Sequence, residues 1–507
     1  MSISQSAQNK LLKIIWDVND LTRGRVDVED NKGIVLALFF LKTLSDQYEM
    51  KCENHKTDCG DVIEEGIAES IECFSNSFTF VVPQEARFSF LLKSLASNDN
   101  AHLLATAFSS LEQSNSALFG LFSDAELLIQ RLSSRRIDDG YFGELIKVYS
   151  KIDLRTTSFN KGNEVGELFI QLIQRYASAS GKKGGEYYTP QSITRLLTQL
   201  LEPNVGDEIY DPACGSGSLL ASLFNSVKES ANNHSVVLYG QEKNISTYNL
   251  ARMNLILNGV GDNHIYCGDT IANPAFLDSN SNQLKRFDIV TSNPPLSLSD
   301  WGTEYAANDT FGRFKWGIPP KSKGDYAFIS HMLASLKEDT GRMAVVVPHG
   351  VLFRGSAEGK IRTNIIGENL LDAVIGLPQN LFLGTSIPTA IMIFSKRKAD
   401  ETIFFIDASK EYVAGKNQNS LSEENVCKIH RAFKARGEIN GYSRNVSIGE
   451  VIENDFNLNI SRYIDDFEEE DDLDLDEELV KRKALQCELK TLECEMDNFL
   501  FQIINKN

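Results

Sequence analysis

What this sequence is short of narrows its function first. None of its eight cysteines stands in a Cys-x-x-Cys pair, and they are scattered over 507 residues, so neither a disulfide frame nor a zinc site is expected. Long apolar runs are missing too. The longest, Ile34 to Leu41, is too short to cross a bilayer. The chain opens without a signal pattern, because Ser2 to Lys10 is polar and the first apolar cluster contains Trp16, Asp17 and Asp20. A cytoplasmic protein with no membrane partner is expected. Basic residues are outnumbered, 51 Lys and Arg against 70 Asp and Glu, for a formal charge of -19. Such a chain is poorly suited to grip nucleic acid alone. Eleven of the acids fall between Asp465 and Glu478 with no basic residue among them, so the rest is only mildly acidic. No internal repeat is apparent.

The length exceeds one typical core, and the pattern divides in three. Residues 1–178 repeat apolar clusters at helical steps, as in Leu11-Leu12-Ile14-Ile15-Trp16 and Glu144-Leu145-Ile146-Val148. After the small, glycine-rich stretch Ala177 to Gly185, residues 179–410 alternate short apolar runs with helix-length segments. Strands are expected at Glu208–Asp211, Val236–Gly240, His264–Cys267, Phe287–Thr291, Met343–Val347, Leu371–Ile375, Ala390–Phe394 and Ile403–Ile406. That alternation predicts a mostly parallel sheet with helices on both faces. Residues 411–507 read as helical, with an extended interlude at Phe456–Tyr463, an acidic linker and a last helix. This helix spaces Leu485, Leu489, Leu492, Met496, Phe499 and Ile503 like a coiled-coil seam. It is read as a partner-docking helix.

The chemistry gathers at strand ends. Glu208-Ile-Tyr-Asp211 runs into Pro212-Ala213-Cys214-Gly215-Ser216-Gly217 and then a helix, the way an α/β sheet turns backbone N–H groups toward a nucleoside ligand. The third glycine of a dinucleotide fingerprint is absent, since position 220 is Leu, and Asp211 would repel a pyrophosphate. A cationic ligand is favoured instead. S-adenosylmethionine, with a sulfonium and an ammonium and no phosphate, fits. The next strand ends at Glu242, placed to accept from ribose hydroxyls, and the third ends at Asp269-Thr270, placed near an adenine amino group. The fourth ends in Asn293-Pro294-Pro295. A conjugated amino group is a poor nucleophile; two carbonyls, on the Asn293 side chain and the Pro294 backbone, would hold its N–H bonds and aim its lone pair. Two prolines stiffen that arrangement beforehand. No metal is required.

Together, Gly185-Glu186-Tyr187-Tyr188-Thr189-Pro190, Asp211–Gly217, Asn293–Pro295, Gly341-Arg-Met-Ala-Val-Val-Val-Pro-His-Gly350 and Gly384-Thr-Ser-Ile-Pro-Thr389 resemble the adenine-N6 methyltransferases. More closely, the chain resembles the modification (M) subunit of type I restriction–modification systems. The resemblance extends to Leu11–Lys51 and Phe456–Tyr463, and so covers most of the chain. It implies an α/β Rossmann-like methyltransferase domain with a helical N-terminal domain and a helical C-terminal tail. It also implies a site-specific, adenine-specific DNA methyltransferase using S-adenosylmethionine. Glu186, Tyr187, Tyr188, Thr189 and Pro190 would line the methionine end of the cofactor, with Asp211, Pro212, Ala213, Gly215, Ser216 and Gly217 beside them. Glu242 would hold the ribose, and Asp269 with Thr270 the adenine. Asn293, Pro294, Pro295 and Leu296 would hold the target base. One departure is Leu296, where the family carries an aromatic residue, whose stacking contributes about 1–3 kcal/mol per base.

Aromatics in the loop from Ser297 to Gly324 (Trp301, Tyr305, Phe311, Phe314, Trp316) are candidates to replace that contact. Arg313, Lys315, Lys321 and Lys323 among them suit an extruded nucleotide. Disorder of this loop without DNA is expected. The implied partners are duplex DNA with a flipped adenine, a specificity (S) subunit, a restriction (R) subunit and a second M copy. Two alternatives remain open: a self-sufficient adenine methyltransferase, and a noncatalytic cofactor-binding scaffold. A protein or RNA methyltransferase using Asn-Pro-Pro is a further one.

Overall fold

The computed structural model describes residues 13, 28–59, 80–95, 99–134, 140–155, 164–180, 189–228, 236–261, 263–382, 386–416, 418–464 and 475–504. Glu186, Tyr187 and Tyr188 lie outside these, as do Gly384 and most of the first predicted helix.

The amino-terminal part is helical: α1 Val28–Cys59, α2 Phe88–Ser94, α3 Asn100–Ser114, α4 Ser123–Ser134, α5 Gly140–Ser150 and α6 Glu164–Ser180. The run Ile34–Leu41 lies on α1, and every residue of it is buried. An all-round apolar helix is stable only when its neighbours cover every face, and this run packs in one core with residues of α2 to α6. Lys42 and Asp46, one turn apart on α1, are both buried and ion-paired. Asp46 also accepts the Leu154 N–H at 2.9 Å, so the charge is shared rather than stranded.

Next come α7 Gln191–Leu201, β1 Glu208–Asp211, α8 Ser218–Lys228, β2 Val237–Glu242, α9 Ile245–Leu257, β3 Asn263–Cys267 and β4 Ile289–Ser292. They are followed by α10 Thr303–Ala307, α11 Asp325–Ala334, β5 Arg342–Pro348, α12 Gly350–Phe353, α13 Ser356–Gly367, β6 Leu371–Gly376, β7 Thr389–Ser395 and β8 Thr402–Asp407. The chain closes with α14 Glu423–Ala435, β9 Ser443–Ser447, α15 Ile448–Glu453 and α16 Leu475–Ile504. One nine-stranded sheet has the order β3-β2-β1-β4-β5-β7-β6-β8-β9. Strands β3 to β5 run parallel, and β7 inserts antiparallel between β5 and β6. Two apolar cores, one on each face, cover the sheet, which is why Met343–Val347 of β5 and Ala390–Phe394 of β7 read as unbroken apolar runs.

All eight predicted strands form. The segment after residue 410, read as helical with an extended interlude at Phe456–Tyr463, also holds an unexpected strand: β9 pairs antiparallel with β8 at the sheet edge. Only Val446 of Ser443-Arg-Asn-Val-Ser447 is apolar and buried, so the strand carries no alternating pattern to read. The interlude Phe456–Tyr463 is a turn with a short 3-10 helix at Ile460–Arg462, and Leu458, Ile460 and Tyr463 pack on the sheet. On α16, Leu485, Leu489, Leu492 and Met496 are all more than half exposed, leaving that stripe uncovered in the single chain.

The helical part meets the sheet domain closely at one glycine. A Cβ on Gly166 of α6 would lie 2.4 Å from the Asn258 side chain, which is fully buried and bonded to Asn254 and Asn225. Gly166→Ala should therefore destabilise the protein, because the overpacking cost of about 1–3 kcal/mol exceeds the helix gain of about 1 kcal/mol. Denaturant unfolding should show an earlier midpoint for this variant; a later one would mean that Asn258 yields freely.

Candidate active site

The strand order reverses between β1 and β4, which are neighbours with Tyr210 opposite Val290. Open α/β sheets bind ligands at such a reversal, beyond the carboxyl ends of the strands. Asp211 ends β1 and Asn293 follows β4, so the sheet itself places the two motifs side by side.

After Asp211 the backbone turns sharply. Gly215 and Gly217 hold φ of 55° and 71°, values that suit residues without a Cβ. Gly217 has a second reason, since its Cβ would sit 3.3 Å from that of Ala251 on α9. The Gly217 N–H bonds the Cys214 carbonyl at 2.8 Å, and the Cys214 N–H reaches the Gln241 carbonyl on β2 at 3.1 Å. From α9, the Asn254 amide donates to the Ser216 carbonyl at 2.9 Å. Cys214 is buried, and burial pushes its thiol well above the usual range. It is a packing residue, not a nucleophile.

Asp211 is buried, accepts the Ala213 N–H at 3.0 Å and has the Ser292 hydroxyl beside it. Burial is the main cause that drives its pKa up to about 7, with the Glu242 charge adding to it. Glu242 accepts the Gly215 N–H at 3.0 Å and the Asn244 N–H at 2.8 Å. Asp269 accepts the Ile271 and Ala272 N–H groups and pairs with the exposed Lys243 at 2.9 Å. Burial would raise it, but Lys243 and these amides together hold it below the ordinary range. Thr270 is a tie between loops, its hydroxyl donating to the Pro212 carbonyl at 2.5 Å. Pro212 is buried with it, while Ala213 and Ser216 are half-buried.

At the end of β4, the Asn293 amide nitrogen donates to the Thr189 hydroxyl at 3.0 Å. Its oxygen is buried and has no hydrogen-bond partner among the described residues. Pro190 caps α7, taking the Ile193 and Thr194 N–H groups, and so fixes Thr189 at this spot. Pro294 is buried; Pro295 and Leu296 are half-buried.

The segment from Ser297 to Gly324 departs from expectation. It is a packed lobe, not a loose strap. Backbone bonds from Asp300 to Lys321 and from Gly324 to Leu298 close its base. Trp301 and Phe314 pack with Ile271, Ala327 and Phe328, and Trp316 joins the sheet core. Arg313 is buried against Asp309 at 2.6 Å, so it is no phosphate ligand; Lys315 pairs with Glu368 and Lys321 with Asp300. The sequence shows the basic residues but not the acids folded onto them. Of the five aromatics, only Tyr305 is well exposed, and it lies within electrostatic range of Lys243, near Asp269. Among the described residues no group of three or more His, Cys, Asp or Glu could hold a metal ion, and no helix is long and apolar enough to cross a membrane.

Three supporting residues escaped the sequence reading. Asn254 holds the glycine turn, Asp325 accepts the Ser297 N–H at 2.7 Å just past Leu296, and Ile245 stands half exposed three residues beyond Glu242. Only Ile245 had a visible signal, an aliphatic side chain at a helix start beside a strand-end acid.

Neighbouring strand ends thus carry a buried carboxylate, which a cation would suit, and a buried carbonyl without a partner among the described residues, which an N–H donor would suit. Comparison with known proteins agrees. The family model described as N-6 DNA methylase matches residues 160–472, and the HsdM N-terminal domain matches residues 11–146. The methylase subunit of the type I restriction enzyme MpnII of Mycoplasma pneumoniae is 32% identical, over 96% of each chain. That of MjaVIII of Methanocaldococcus jannaschii is 31% identical, over 94% of this chain and 81% of its own. The crystal structure of a type I restriction–modification methyltransferase subunit from Streptococcus thermophilus superposes with a TM-score of 0.81 at 34% identity, covering 90% of this chain and all of that one. The chain belongs to the N-6 DNA methylase family, in the branch of type I methylase subunits. It is a DNA methyltransferase with a Rossmann-like α/β domain.

The Asp211 value sets a pH dependence. Above about 7 the carboxyl is ionised and attracts a cation; below about 7 it is protonated and the attraction fades. Calorimetry between pH 5.5 and 7.5 should show S-adenosylmethionine binding weaken on acidification, by up to about tenfold per unit. Asp211→Asn should bind weakly at every pH. An unchanged slope in that variant would assign the titration elsewhere. For the empty protein the raised value means stability declines as pH rises through about 7.

Proposed function

We propose that this chain methylates adenine N6 in duplex DNA with S-adenosylmethionine, as the modification subunit of a type I restriction enzyme. The carrying observation is the buried, unpartnered Asn293 oxygen. A buried carbonyl left without a donor costs about 1–3 kcal/mol, a cost offset when an amino group donates to it.

The residues present suit the cofactor. Asp211 is a buried acid whose charge lacks a cation, and Gly215 and Gly217 open the turn beside it. Asp211, Ala213, Gly215, Ser216 and Gly217 would hold the methionine part, Glu242 the ribose hydroxyls, and Asp269 and Ile245 the adenine. When bound, the cofactor supplies a methyl group made electrophilic by its sulfonium. The protein does the rest by placement. Thr189 takes the Asn293 amide nitrogen and leaves its oxygen without a partner among the described residues, and that oxygen and the Pro294 carbonyl would each accept one N–H of the target amine. Both acceptors are fixed before the base arrives, so little reorganisation is left for the transition state. Transfer would form the C–N bond as the methyl–sulfur bond breaks, leaving a neutral thioether, and the amine would give up one proton to solvent.

The target amine is unreachable inside a stacked duplex, so the adenine must be extruded. Site choice is assigned to a separate specificity subunit, docked on the exposed stripe of α16. A second modification subunit and a restriction subunit complete the proposed assembly. Functionally the chain divides near residues 178 and 410, with the edge residues 423–464 serving the sheet and α16 serving assembly.

Asn293→Ala, assayed in the assembled complex, should lower methyl transfer by about a hundredfold or more while S-adenosylmethionine still binds. Transfer at the normal rate would contradict the mechanism.

A further inference from the structure

The backbone immediately past the Asn-Pro-Pro motif is strained, and a buried charge network holds it. Ser297 has φ of 55°, a left-handed conformation that costs a non-glycine residue free energy unless its surroundings impose it. Its N–H donates to Asp325 Oδ1 at 2.7 Å. Asp325 is the first residue of α11 and is 4% exposed. The other carboxylate oxygen takes Arg354 Nη2 at 2.5 Å. Arg354 is fixed in turn by Glu358, a buried acid one turn along, through Nε at 2.5 Å and Nη2 at 3.0 Å. Space around the guanidinium is tight, because a Cβ on Gly350 would lie 2.6 Å from Arg354 Nη1. That accounts for the glycine after His349.

The frame continues beyond Arg354. The buried Arg362 guanidinium donates to the Arg354 carbonyl at 3.0 Å, to the Val351 carbonyl at 3.1 Å and to the Phe456 carbonyl at 2.7 Å. Leu458 adds a backbone bond to Leu352 at 2.9 Å. Three residues separate Asn293 from Ser297, and the two prolines among them transmit position stiffly.

We propose that Asp325 is a positioning residue for methyl transfer: through the Ser297 N–H, and braced by Arg354, it sets where the Asn293-Pro294 acceptors stand. Both Asp325 carboxylate oxygens are taken, one by the Ser297 N–H and the other by Arg354. It acts on the geometry of the acceptors, and displacements of an ångström or less in such groups carry large rate penalties. An isosteric amide keeps an oxygen for the Ser297 N–H but loses the charge that anchors Arg354, so Asp325→Asn should be intermediate. Asp325→Glu keeps the charge but moves it by a methylene, and should not rescue.

This inference rests on the proposed adenine reaction, and the test separates the two. In the assembled complex with cognate duplex DNA, kcat, the DNA KM and S-adenosylmethionine affinity are measured for Asp325→Ala, Asp325→Asn, Asp325→Glu and, as a reference, Asn293→Ala. Expected for Asp325→Ala is a fall in kcat of about tenfold to a hundredfold, with the KM and cofactor affinity within about twofold of the parent. Partial recovery in Asp325→Asn and none in Asp325→Glu completes the expected pattern. An unchanged kcat in Asp325→Ala overturns the inference, as does a loss of cofactor affinity parallel to that of rate, which marks a merely structural role. If Asn293→Ala keeps full activity, the adenine mechanism itself fails.

Discussion

The structure depends on how one amide is held. Asn293 follows a fully buried strand, and the Thr189 hydroxyl takes its nitrogen. Its oxygen is thereby left buried and unpaired at the sheet's reversal point. A free asparagine side chain would turn to satisfy both ends. Here Thr189 sits ahead of α7, Pro190 caps that helix, and α7 packs in the same core as β1 and α8. The amide is set by elements brought together from a hundred residues apart, before any ligand is present.

Opposite it stands a second incomplete group. Asp211 is kept from water and, with Glu242 close by, is held near neutrality in its protonation. A buried acid without a cation and a buried carbonyl without a donor are both unfavourable alone. Placed at neighbouring strand ends, they would suit a cation beside an N–H donor, both electropositive partners. The chain's overall acidity fits the proposed division of labour, in which this chain would hold a cationic cofactor and the exposed stripe on α16 would dock the subunit that reads DNA.

Much of this was legible in the residues, and the limits are instructive. The strands of the sheet announce themselves because burial on both faces forces continuous apolar runs, as in Met343–Val347. Edge strand β9 has one buried apolar side chain and so leaves no trace. Asp211, Glu242 and Asn293 are readable because each closes such a run. Arg313 misled for the opposite reason. Its charge is visible in sequence, but its burial against Asp309 is a tertiary fact, and the same holds for Trp301, Phe314 and Trp316 in the lobe. The supporting partners Asn254 and Asp325 lie on helices, and Arg354 in the turn between α12 and α13, at spacings to the motifs that carry no signal. Only folding brings Asp325 beside Ser297, or Gly166 against Asn258.

The most direct test of the account is a high-resolution structure of the assembled enzyme with S-adenosylmethionine's demethylated product and an extruded adenine. The account predicts the adenine N6 at about 2.7–3.2 Å from Asn293 Oδ1, with the amide nitrogen still facing Thr189. An N6 beyond hydrogen-bond reach of that oxygen, or an amide turned the other way, would contradict it.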